Sequence, residues 1–228
     1  MILRKWNLLP EKMKNEYVKQ IYNKLQKKKI QLVIKRIFDI IVSFVLLILL
    51  SPLIAVIAIM IKKDSKGPVF YRQERITQYG KKFRIFKFRT MVNNADKIGT
   101  HVTGYNDNRI TKVGKKIRDS RLDEIPQLIN VLKGEMSFVG TRPEAVKYVE
   151  KYTPEMMATL LLPAGITSEA SIAYKDEAKL LETAVDVDDT YINEILPSKM
   201  KYNIEAMEKF NILYDLKIMI KTVVSVLI

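Results

Sequence analysis

The chain contains no cysteine and a single histidine in its 228 residues. The lack of cysteine excludes disulfide bonds, cysteine-ligated zinc and thiol catalysis. Any Ser-His-Asp triad or histidine-metal site would depend on His101, which stands in a Gly/Asn-rich stretch without a companion motif and is predicted to be a solvated loop residue. Glycine-rich phosphate loops of the Walker or dinucleotide-binding kind are missing, as are internal repeats and low-complexity tracts.

Acidic residues are too few to balance the basic ones. Lysine and arginine total 39 against 25 aspartate and glutamate residues, which gives a formal net charge of +14. Such an excess requires a negatively charged partner, namely anionic lipid headgroups, the phosphates of a ligand, or nucleic acid. Because a long apolar segment occupies the N-terminal third, membrane lipid and phosphates are favoured and no nucleic-acid partner is expected.

The apolar run from Phe38 to Ile61 is interrupted at its midpoint by Ser51-Pro52. A run of roughly 20 apolar residues suffices to cross a bilayer. Both flanks are basic, with eleven Lys/Arg against two acids in residues 1–36, so neither end is the obvious translocated one. Pro52 predicts a bend, and Ser51 can hydrogen-bond a carbonyl that the bend frees. We predict a helix–break–helix that enters one leaflet and returns; a proline-kinked single span is the alternative.

The segment before the run is predicted to be a basic amphipathic extension over residues 1–34. The run begins too late, and is too long, for the apolar region of a cleavable signal peptide, and its basic flanks favour the cytoplasmic face. Lys35 or Arg36 is expected to pair with Asp39 at the membrane edge. Apolar residues recur in the extension at every fourth position: Met13, Tyr17, Ile21 and Leu25. Contact with the membrane surface and packing on the domain would both explain this pattern.

Beyond residue 62 the pattern predicts a hairpin and then a loop. Gly67-Pro68 makes a turn, and the stretches 69–71 and 83–88 are typical of strands around Tyr79-Gly80. Residues 91–112 are polar and predict a long loop.

Helical periodicity follows that loop. The apolar tail at 202–228 either packs on the domain or lies on the bilayer. Helices are predicted at 114–119, 123–132 (ended by Lys133-Gly134), 144–151, 154–161 and 176–183.

The densest polar cluster includes the adjacent acids Asp123 and Glu124. Neighbouring residues on a helix point about 100° apart, so these acids cannot share one proton as a facing pair does. Two tasks fit better: one carboxylate attacks or positions a substrate, and the other binds a metal. Pro126 would fall in the first turn of this helix, where its positive end lowers the pKa of both acids. A helix cap and first-turn glutamate without catalysis is the alternative.

Several basic residues are candidates for phosphate binding. Arg142 stands between a glycine turn and Pro143, which suits bidentate contact with phosphate, although an ordinary surface arginine also explains it. Lys87 and Arg89 fall on one face of the predicted strand. The stretch 186–189 resembles the Asp-x-Asp metal motif of nucleotide-sugar glycosyltransferases, but no run of strands precedes it, so a polar loop is predicted.

Further segments occur in a fixed order along the chain: Lys35-Arg36-Ile37-Phe38-Asp39, Ser51-Pro52, Gly67 to Arg75, Phe86 to Met91, and Leu122 to Glu144. These segments, in this order, resemble the bacterial sugar transferases, small monotopic phosphoglycosyl transferases that start the assembly of surface glycans. The resemblance covers residues 35–228.

The resemblance implies transfer of a sugar-1-phosphate from a UDP-sugar to undecaprenyl phosphate with release of UMP. It also implies Mg2+, a covalent phosphosugar-enzyme intermediate and a place at the cytoplasmic face of the bacterial plasma membrane. Carried onto matching positions, Asp123 is the nucleophile and Glu124 the Mg2+ ligand. Arg142 would contact the nucleotide diphosphate, and Arg118 and Lys87 would hold phosphate oxygens.

The implied fold class is α+β and mainly helical. A re-entrant membrane helix hairpin over residues 35–62, broken at Ser51-Pro52, would precede a cytosolic catalytic domain over residues 63–228. That domain would contain a small β-hairpin and interfacial amphipathic helices. The chain departs from the family pattern at Thr141, where proline is usual, and at Ala164. Two other functions remain open: a membrane-anchored basic scaffold or binding protein, and a conventional glycosyltransferase that uses Asp186 and Asp188.

Overall fold

The computed structural model describes residues 3–95, 107–181 and 186–227. These residues are mainly helical with two small two-stranded sheets, which confirms the predicted fold class. The α-helices are α1 (Glu16–Gln26), α2 (Lys29–Leu49), α3 (Ser51–Asp64), α4 (Lys112–Asp119), α5 (Gln127–Lys133), α6 (Val146–Val149), α7 (Glu169–Ala173), α8 (Glu177–Leu181), α9 (Val187–Thr190), α10 (Leu196–Glu208) and α11 (Ile212–Leu227). The strands are β1 (Phe70–Ile76), β2 (Lys82–Phe88), β3 (Met136–Val139) and β4 (Ala164–Thr167).

The apolar run forms the two helices α2 and α3, whose axes bend by 61° at the break between them. Pro52 lies in the first turn of α3, where its missing N–H leaves no helical bond unmade. The hydroxyl of Ser51 donates to the carbonyl oxygen of Ile48 at 2.8 Å, so the predicted bend and serine contact are confirmed. Within the described ranges no single helix is long and apolar enough for a membrane span, whereas this bent pair meets both criteria when its two helices are taken together.

Helix α1 packs on the rest of the protein. Its N-cap is Asn15, whose side chain accepts the N–H of Val18 at 3.0 Å. Val18 and Leu25 are fully buried in the largest apolar cluster, where α1 meets α10 and the 3-10 turn Met156–Leu161. Tyr17, expected on the apolar stripe, is 56% exposed because Val18 takes the inward position instead. The amphipathic pattern of the extension therefore serves packing on the domain.

The charged residues at the start of α2 do not pair as predicted. Among the described residues neither Lys35 nor Arg36 forms an ion pair with Asp39. Lys35 reaches Asp215 of α11 at 2.5 Å, and Arg36 donates to two carbonyl oxygens at the end of α5 at 2.6 and 2.9 Å. Asp39 accepts the N–H of Phe138 in β3 at 3.3 Å. The last carbonyls of α5 lack helical partners and attract a cation, so these contacts fasten α2 to other elements.

Strands β1 and β2 form the predicted antiparallel hairpin, with Gly80 in the connecting turn. The outer edge of β2 is covered by Asn130 of α5, which is fully buried. Its side-chain oxygen accepts the N–H of Phe86 at 2.8 Å, and its amide donates to the carbonyl oxygen of Arg84 at 3.0 Å. This double contact fixes α5 against the strand that carries Lys87.

Strands β3 and β4 form a parallel pair that the sequence analysis did not predict. The contact continues beyond β3, where Gly140 N–H donates to Thr167 at 3.0 Å and Gly165 N–H donates to Thr141 at 2.8 Å. A β-carbon on Gly165 would stand 2.2 Å from the nitrogen of Gly140, so the backbones approach this closely only because both positions are glycine. The segment leading to Arg142 is thereby held against β4.

The remaining predicted elements are found with changed bounds. The loop predicted at 91–112 is described at both ends, where Met91 and Ile110 form an antiparallel bridge; His101 lies outside the described residues. α4 occupies the first predicted helix, α6 part of the third, and the 3-10 turn Met156–Leu161 the fourth. α8 matches the described part of the last one. The predicted boundaries after residues 34 and 62, which separate the extension, the membrane hairpin and the catalytic domain, stay a prediction.

The acidic stretch predicted as a polar loop begins a helix. Asp186 caps α9 by accepting the N–H of Asp189 at 3.0 Å, a common use of aspartate. Asp188 accepts from the ammonium of Lys147 and the hydroxyl of Tyr148, both at 2.7 Å. These carboxylates support local structure.

The tail packs on the domain through one face of α11. Ile218 is fully buried among the apolar residues of β3 and α5. Leu213, Ile220 and Val223 on other sides of the same helix are exposed. The tail therefore leaves an apolar surface uncovered beside α2, to which it is joined through Asp215.

Candidate active site

Asp123 and Glu124 lie in a 3-10 turn, Leu122–Glu124, directly before α5. The next two residues keep right-handed helical angles, so the backbone winds on into α5. The helix predicted from residue 123 is wrong at its start, since α5 begins at Gln127. The reason is Pro126, which has no N–H to donate to the carbonyl four residues earlier.

Glu124 is clamped by two cations. Its Oε1 accepts from Nζ of Lys87 at 2.8 Å and from Nη2 of Arg142 at 2.6 Å, and Oε2 lies 3.4 Å from Nη1 of the same arginine. Burial alone would raise the pKa of Glu124, but the two adjacent positive charges outweigh it and hold the pKa well below its usual range. Glu124 in turn raises the pKa of Arg142. This carboxylate is therefore ionised at neutral pH.

Asp123 has the opposite environment. Its carboxylate makes no hydrogen bond or ion pair with any described residue and faces a cavity. Burial raises the pKa of Asp123 and prevails over the positive charge of Lys87, while the negative charge of Glu124 raises it further. The prediction that the helix end lowers both pKa values is wrong for Asp123, because the loss of water dominates. For Glu124 the direction is right but the cause is its two cationic partners.

The cavity that Asp123 lines has a volume of about 720 Å³. It runs between the β1–β2 hairpin, the start of α5 and the segments around α6, α8 and α10. This volume lies in the usual range for small-molecule sites. Cations outnumber acids along the wall, which suits a ligand that carries phosphates. The lining cations are Arg72, Arg75, Lys87, Arg89, Arg109, Arg118, Arg142 and Lys199.

Two of the cations predicted to bind phosphate, Arg89 and Arg118, differ in whether the protein already bonds their guanidinium groups. Arg89 is buried, and its guanidinium donates to the carbonyl oxygens of Lys66 and Ser65 after α3, each at 2.7 Å. A β-carbon on Gly67 would stand 1.9 Å from this guanidinium, so the predicted turn there makes room for Arg89. Arg89 thus fastens α3 to β2. The guanidinium of Arg118 forms no hydrogen bond or ion pair with another described residue and is available to a ligand.

Arg142 reaches Glu124 from the segment that follows β3. Thr141 stands where the family pattern has proline, and the rigidity of that proline is missing. The backbone bonds from Gly140 to Thr167 and from Gly165 to Thr141 hold this segment instead. The structure thereby brings Lys87, Arg142, Asp123 and Glu124 together from three separate parts of the chain.

A buried polar network that was not predicted from the sequence also lines the cavity. The ammonium of Lys199 donates to the hydroxyl of Tyr191 at 2.9 Å and to Glu177 at 2.8 Å. The Tyr191 hydroxyl donates to Glu144 at 2.7 Å. Gln127, beside Asp123, was also given no role. Gln127 and Glu144 belong to the motif run that ends at Glu144, whereas no motif included Glu177, Tyr191 or Lys199, because the network unites segments far apart in sequence.

The acids near Asp123 limit how a metal can bind. No group of three or more histidine, aspartate or glutamate side chains in the described part of the chain is arranged to hold a metal ion by itself. Glu124 and the unbonded Asp123 are the carboxylates at this end. They fit Mg2+ only if a ligand supplies further oxygens, which is the usual way that Mg2+ binds with phosphates.

Comparison with known proteins decides the family. Residues 30–228 match the family model described as bacterial sugar transferase. The chain belongs to this family. The resemblance found in its motifs is thereby confirmed.

This sugar transferase chain has several curated relatives. It is 36% identical over 197 residues to a UDP-N-acetylgalactosamine-undecaprenyl-phosphate N-acetylgalactosaminephosphotransferase of Aeromonas hydrophila, covering 85% of this chain and 44% of that protein. It is 40% identical over 200 residues to a UDP-glucose:undecaprenyl-phosphate glucose-1-phosphate transferase of Klebsiella pneumoniae, covering 85% and 40%. A transferase of the latter name from Caulobacter vibrioides is 33% identical over 196 residues, covering 85% and 69%. The chain spans less than half the length of the first two relatives.

Proposed function

We propose that this sugar transferase moves a sugar-1-phosphate from a UDP-sugar to undecaprenyl phosphate and releases UMP, with Asp123 carrying the phosphosugar between them. The reaction would be the first membrane step in the synthesis of a capsule, an exopolysaccharide or a glycoprotein glycan. The names of the relatives support the substrate classes. The observation that carries the proposal is the unequal state of two adjacent acids. Glu124 is held by two cations, whereas the carboxylate of Asp123 is unbonded and faces a cationic cavity.

The reaction consists of two displacements at one phosphorus atom. An oxygen of Asp123 attacks the phosphorus that bears the sugar, the bond to the bridging oxygen breaks, and UMP leaves with the electron pair. A phosphate oxygen of undecaprenyl phosphate then attacks the same phosphorus, and the bond to Asp123 breaks to restore the carboxylate. No proton is transferred in either step, so the site needs no general base.

The first displacement brings two anions together and requires their charge to be neutralised. Lys87, Arg118 and Arg142 line the cavity with Asp123 and would hold the phosphate oxygens. The raised pKa of Asp123 helps, because a carboxylate that is poorly stabilised as an anion is more basic and more nucleophilic.

Glu124 is the proposed Mg2+ ligand. When bound there, Mg2+ would supply positive charge beside the diphosphate. Lys87 and Arg142 hold Glu124 in the structure and would give it up to the metal. Both side chains would then be free to contact the phosphate oxygens. The contacts of Lys87 and Arg142 with Glu124 would therefore keep all three side chains in position until the metal and the nucleotide bind.

The bent pair α2–α3 supports a hairpin that enters one leaflet and returns. Leu25 before the pair and Leu161 and Met200 after it belong to one apolar cluster. Segments that pack together lie on the same side of a membrane, so a single span would pull this cluster apart. The basic flanks favour the cytoplasmic face. There a soluble UDP-sugar and a lipid phosphate can reach Asp123 in turn.

Trapping a covalent adduct tests the proposal. The protein is incubated with Mg2+ and a UDP-sugar radiolabelled in the sugar, without acceptor lipid, and label on the protein and released UMP are measured. We expect both from the unaltered chain. Asp123→Asn should reduce both on the order of 10³-fold or more, because an amide is no nucleophile. Chelation of divalent cations with EDTA should stop labelling as well.

Asp186→Asn is the matched control. Asparagine caps helices as well as aspartate, and residue 186 does not line the cavity, so labelling and thermal stability should stay unchanged. Turnover with no adduct under any condition, or normal labelling of Asp123→Asn, would contradict the proposed role of Asp123.

A further inference from the structure

The side-chain amide of Gln127 is buried without a partner. The residue is 1% exposed, and its Nε2 finds no hydrogen-bond acceptor among the described residues. Folded proteins pair the great majority of buried polar groups, since an unpaired buried donor has lost its hydrogen bonds to water without replacement. Gln127 lines the same cavity as Asp123. An unpaired donor in the wall of a cavity indicates that a ligand supplies the missing acceptor once it binds there.

The backbone places Gln127 beside the attacking residue. The two residues before it keep helical angles, so Gln127 stands one helical turn after Asp123. Both residues line the same cavity. A ligand group that bonds to Asp123 therefore lies against the part of the wall to which Gln127 contributes.

The carboxylate of Glu124, which follows Asp123, is already committed elsewhere. Both oxygens of Glu124 accept from Arg142, and one of them also accepts from Lys87. The next buried amide on α5 behaves differently from Gln127, because Asn130 uses its oxygen and its amide on the backbone of β2. The amide of Asn130 thus fixes α5 to β2, whereas the amide of Gln127 has no partner in the described part of the protein.

We propose that Gln127 donates its amide N–H to a non-bridging oxygen of the transferred phosphoryl group, during attack by Asp123 and in the resulting adduct. This inference rests on the proposed function. A neutral donor has an advantage in this position. A lysine or arginine there would pair with Asp123 and reduce its nucleophilicity, whereas an amide stabilises the oxygen without quenching the carboxylate.

Gln127→Leu tests the inference, because leucine removes the amide at a similar volume. We expect the single-turnover rate of UMP release to fall roughly 100-fold, with the KM for the UDP-sugar changed less than about threefold. The Tm should stay the same or rise, because the variant no longer buries an unpaired polar group. Gln127→Met, whose unbranched side chain follows the shape of glutamine, serves as a second variant with the same expectation.

Asn203→Leu is the matched control for removing a buried amide. Asn203 of α10 is also buried with an unpaired oxygen, but it does not line the cavity, so its replacement should leave the rate unchanged. A normal rate in both Gln127 variants would overturn the inference and leave the proposed function intact. A lower rate accompanied by a lower Tm in both would also overturn it, as a packing defect. If the unaltered chain itself forms no adduct and releases no UMP, the proposed function fails and the inference fails with it.

Discussion

Asp123 and Glu124 are neighbours in sequence but have different surroundings. Lys87 from β2 and Arg142 from the segment after β3 both approach Glu124. Asp123 is left with burial and a negative neighbour, which together raise its pKa. Two acids whose environments push their pKa values apart are suited to different tasks. One is a firmly ionised anchor for cations, and the other is a basic carboxylate open to a substrate.

Replacement of each acid by its amide should change stability in opposite directions. The folded pKa of Asp123 is raised, so its ionised form costs stability above that pKa, and Asp123→Asn should raise the Tm at pH 7 by a few degrees. The folded pKa of Glu124 is lowered, so its stabilisation is present at pH 7. Glu124→Gln should lower stability by about 2 kcal/mol, because Lys87 and Arg142 lose their shared partner.

Thermal unfolding of the two variants, measured in detergent from pH 4 to 8, tests these two stability predictions. The gain from Asp123→Asn should shrink as the pH falls towards about 3.9, the ordinary pKa of aspartate, since both states then bind the proton. The stabilisation from Glu124 is lost only as the pH falls through its lowered folded pKa, so its variant should stay less stable throughout this range. A Tm lowered equally by both substitutions would contradict the assigned environments.

The sequence identifies the participants in the site better than their interactions. Asp123, Glu124, Lys87 and Arg142 were all predicted, since they lie in a specific series of motifs. Their pairing depends on how β2, α5 and the segment after β3 pack, and no local pattern contains that information. The burial of Gln127 also depends on how the elements of the cavity wall pack, so no local pattern predicts it. Arg89 satisfied the strand alternation, yet its guanidinium binds the end of α3.

Helix α5 is the element that connects the bent pair α2–α3 to the candidate site. Its C-terminal carbonyls accept from Arg36 of α2, and its middle is fixed to β2 by Asn130. Its N-terminal end continues the turn that holds Asp123. A short helix held at its end and its middle keeps the carboxylate of Asp123 at a defined distance from the bent pair.

The bent pair should leave both of its flanks on the same side of the membrane. The chain has no cysteine, so Lys12→Cys and Lys151→Cys each introduce a single reactive thiol at an exposed position. A membrane-impermeant maleimide should label both from the cytoplasmic side only, in inverted vesicles but not in intact cells. Pro52→Ala should keep this pattern, because Val18 and Leu25 anchor the extension in the core, at about 2 kcal/mol or more per buried side chain.

Labelling of the two cysteines from opposite sides would refute the re-entrant arrangement. Lys12→Cys in detergent-solubilised protein is the control for accessibility, since full labelling there shows that the thiol itself is reactive. Loss of the same-side pattern in Pro52→Ala alone would show that the proline, and not the packing of α1, determines the topology.

Elements with strong local signals were predicted, and those made by distant contacts were not. The hairpin follows from the alternation in β2 and from the turn at Tyr79-Gly80, and the break follows from Pro52. Strands β3 and β4 contain four residues each and pair across an intervening stretch of chain, so neither is recognisable on its own. The amphipathic pattern of α1 is the same for a helix on a bilayer and a helix on a protein, and only the packing distinguishes them.

The whole molecule combines a large positive charge with uncovered apolar faces. The net charge is +14, and exposed apolar side chains line α2, α3 and one side of α11. Patches of this kind on one molecule are typical of proteins that bind a lipid surface. The two contributions respond differently to salt, because screening weakens the attraction of charges but leaves apolar burial unaffected.

Flotation with lipid vesicles should separate the two contributions. Vesicles that contain anionic lipid should bind the protein more tightly than neutral ones at low salt, and the advantage should largely disappear near 1 M salt, where the Debye length is about 3 Å. Binding to neutral vesicles should persist at both salt concentrations. Equal binding to both kinds of vesicle at low salt would rule out a role for the positive charge in membrane attachment.

The close approach of Gly140 and Gly165 limits which substitutions this chain can accept. Neither glycine meets the cavity, yet the carbonyl of the residue between Gly140 and Arg142 is bonded to Gly165. One added methyl group at either glycine would push the backbone after β3 away from β4. The guanidinium of Arg142 would then move away from the carboxylate of Glu124. Donor preference can therefore be redesigned in the walls of the cavity, while these two positions tolerate no side chain at all.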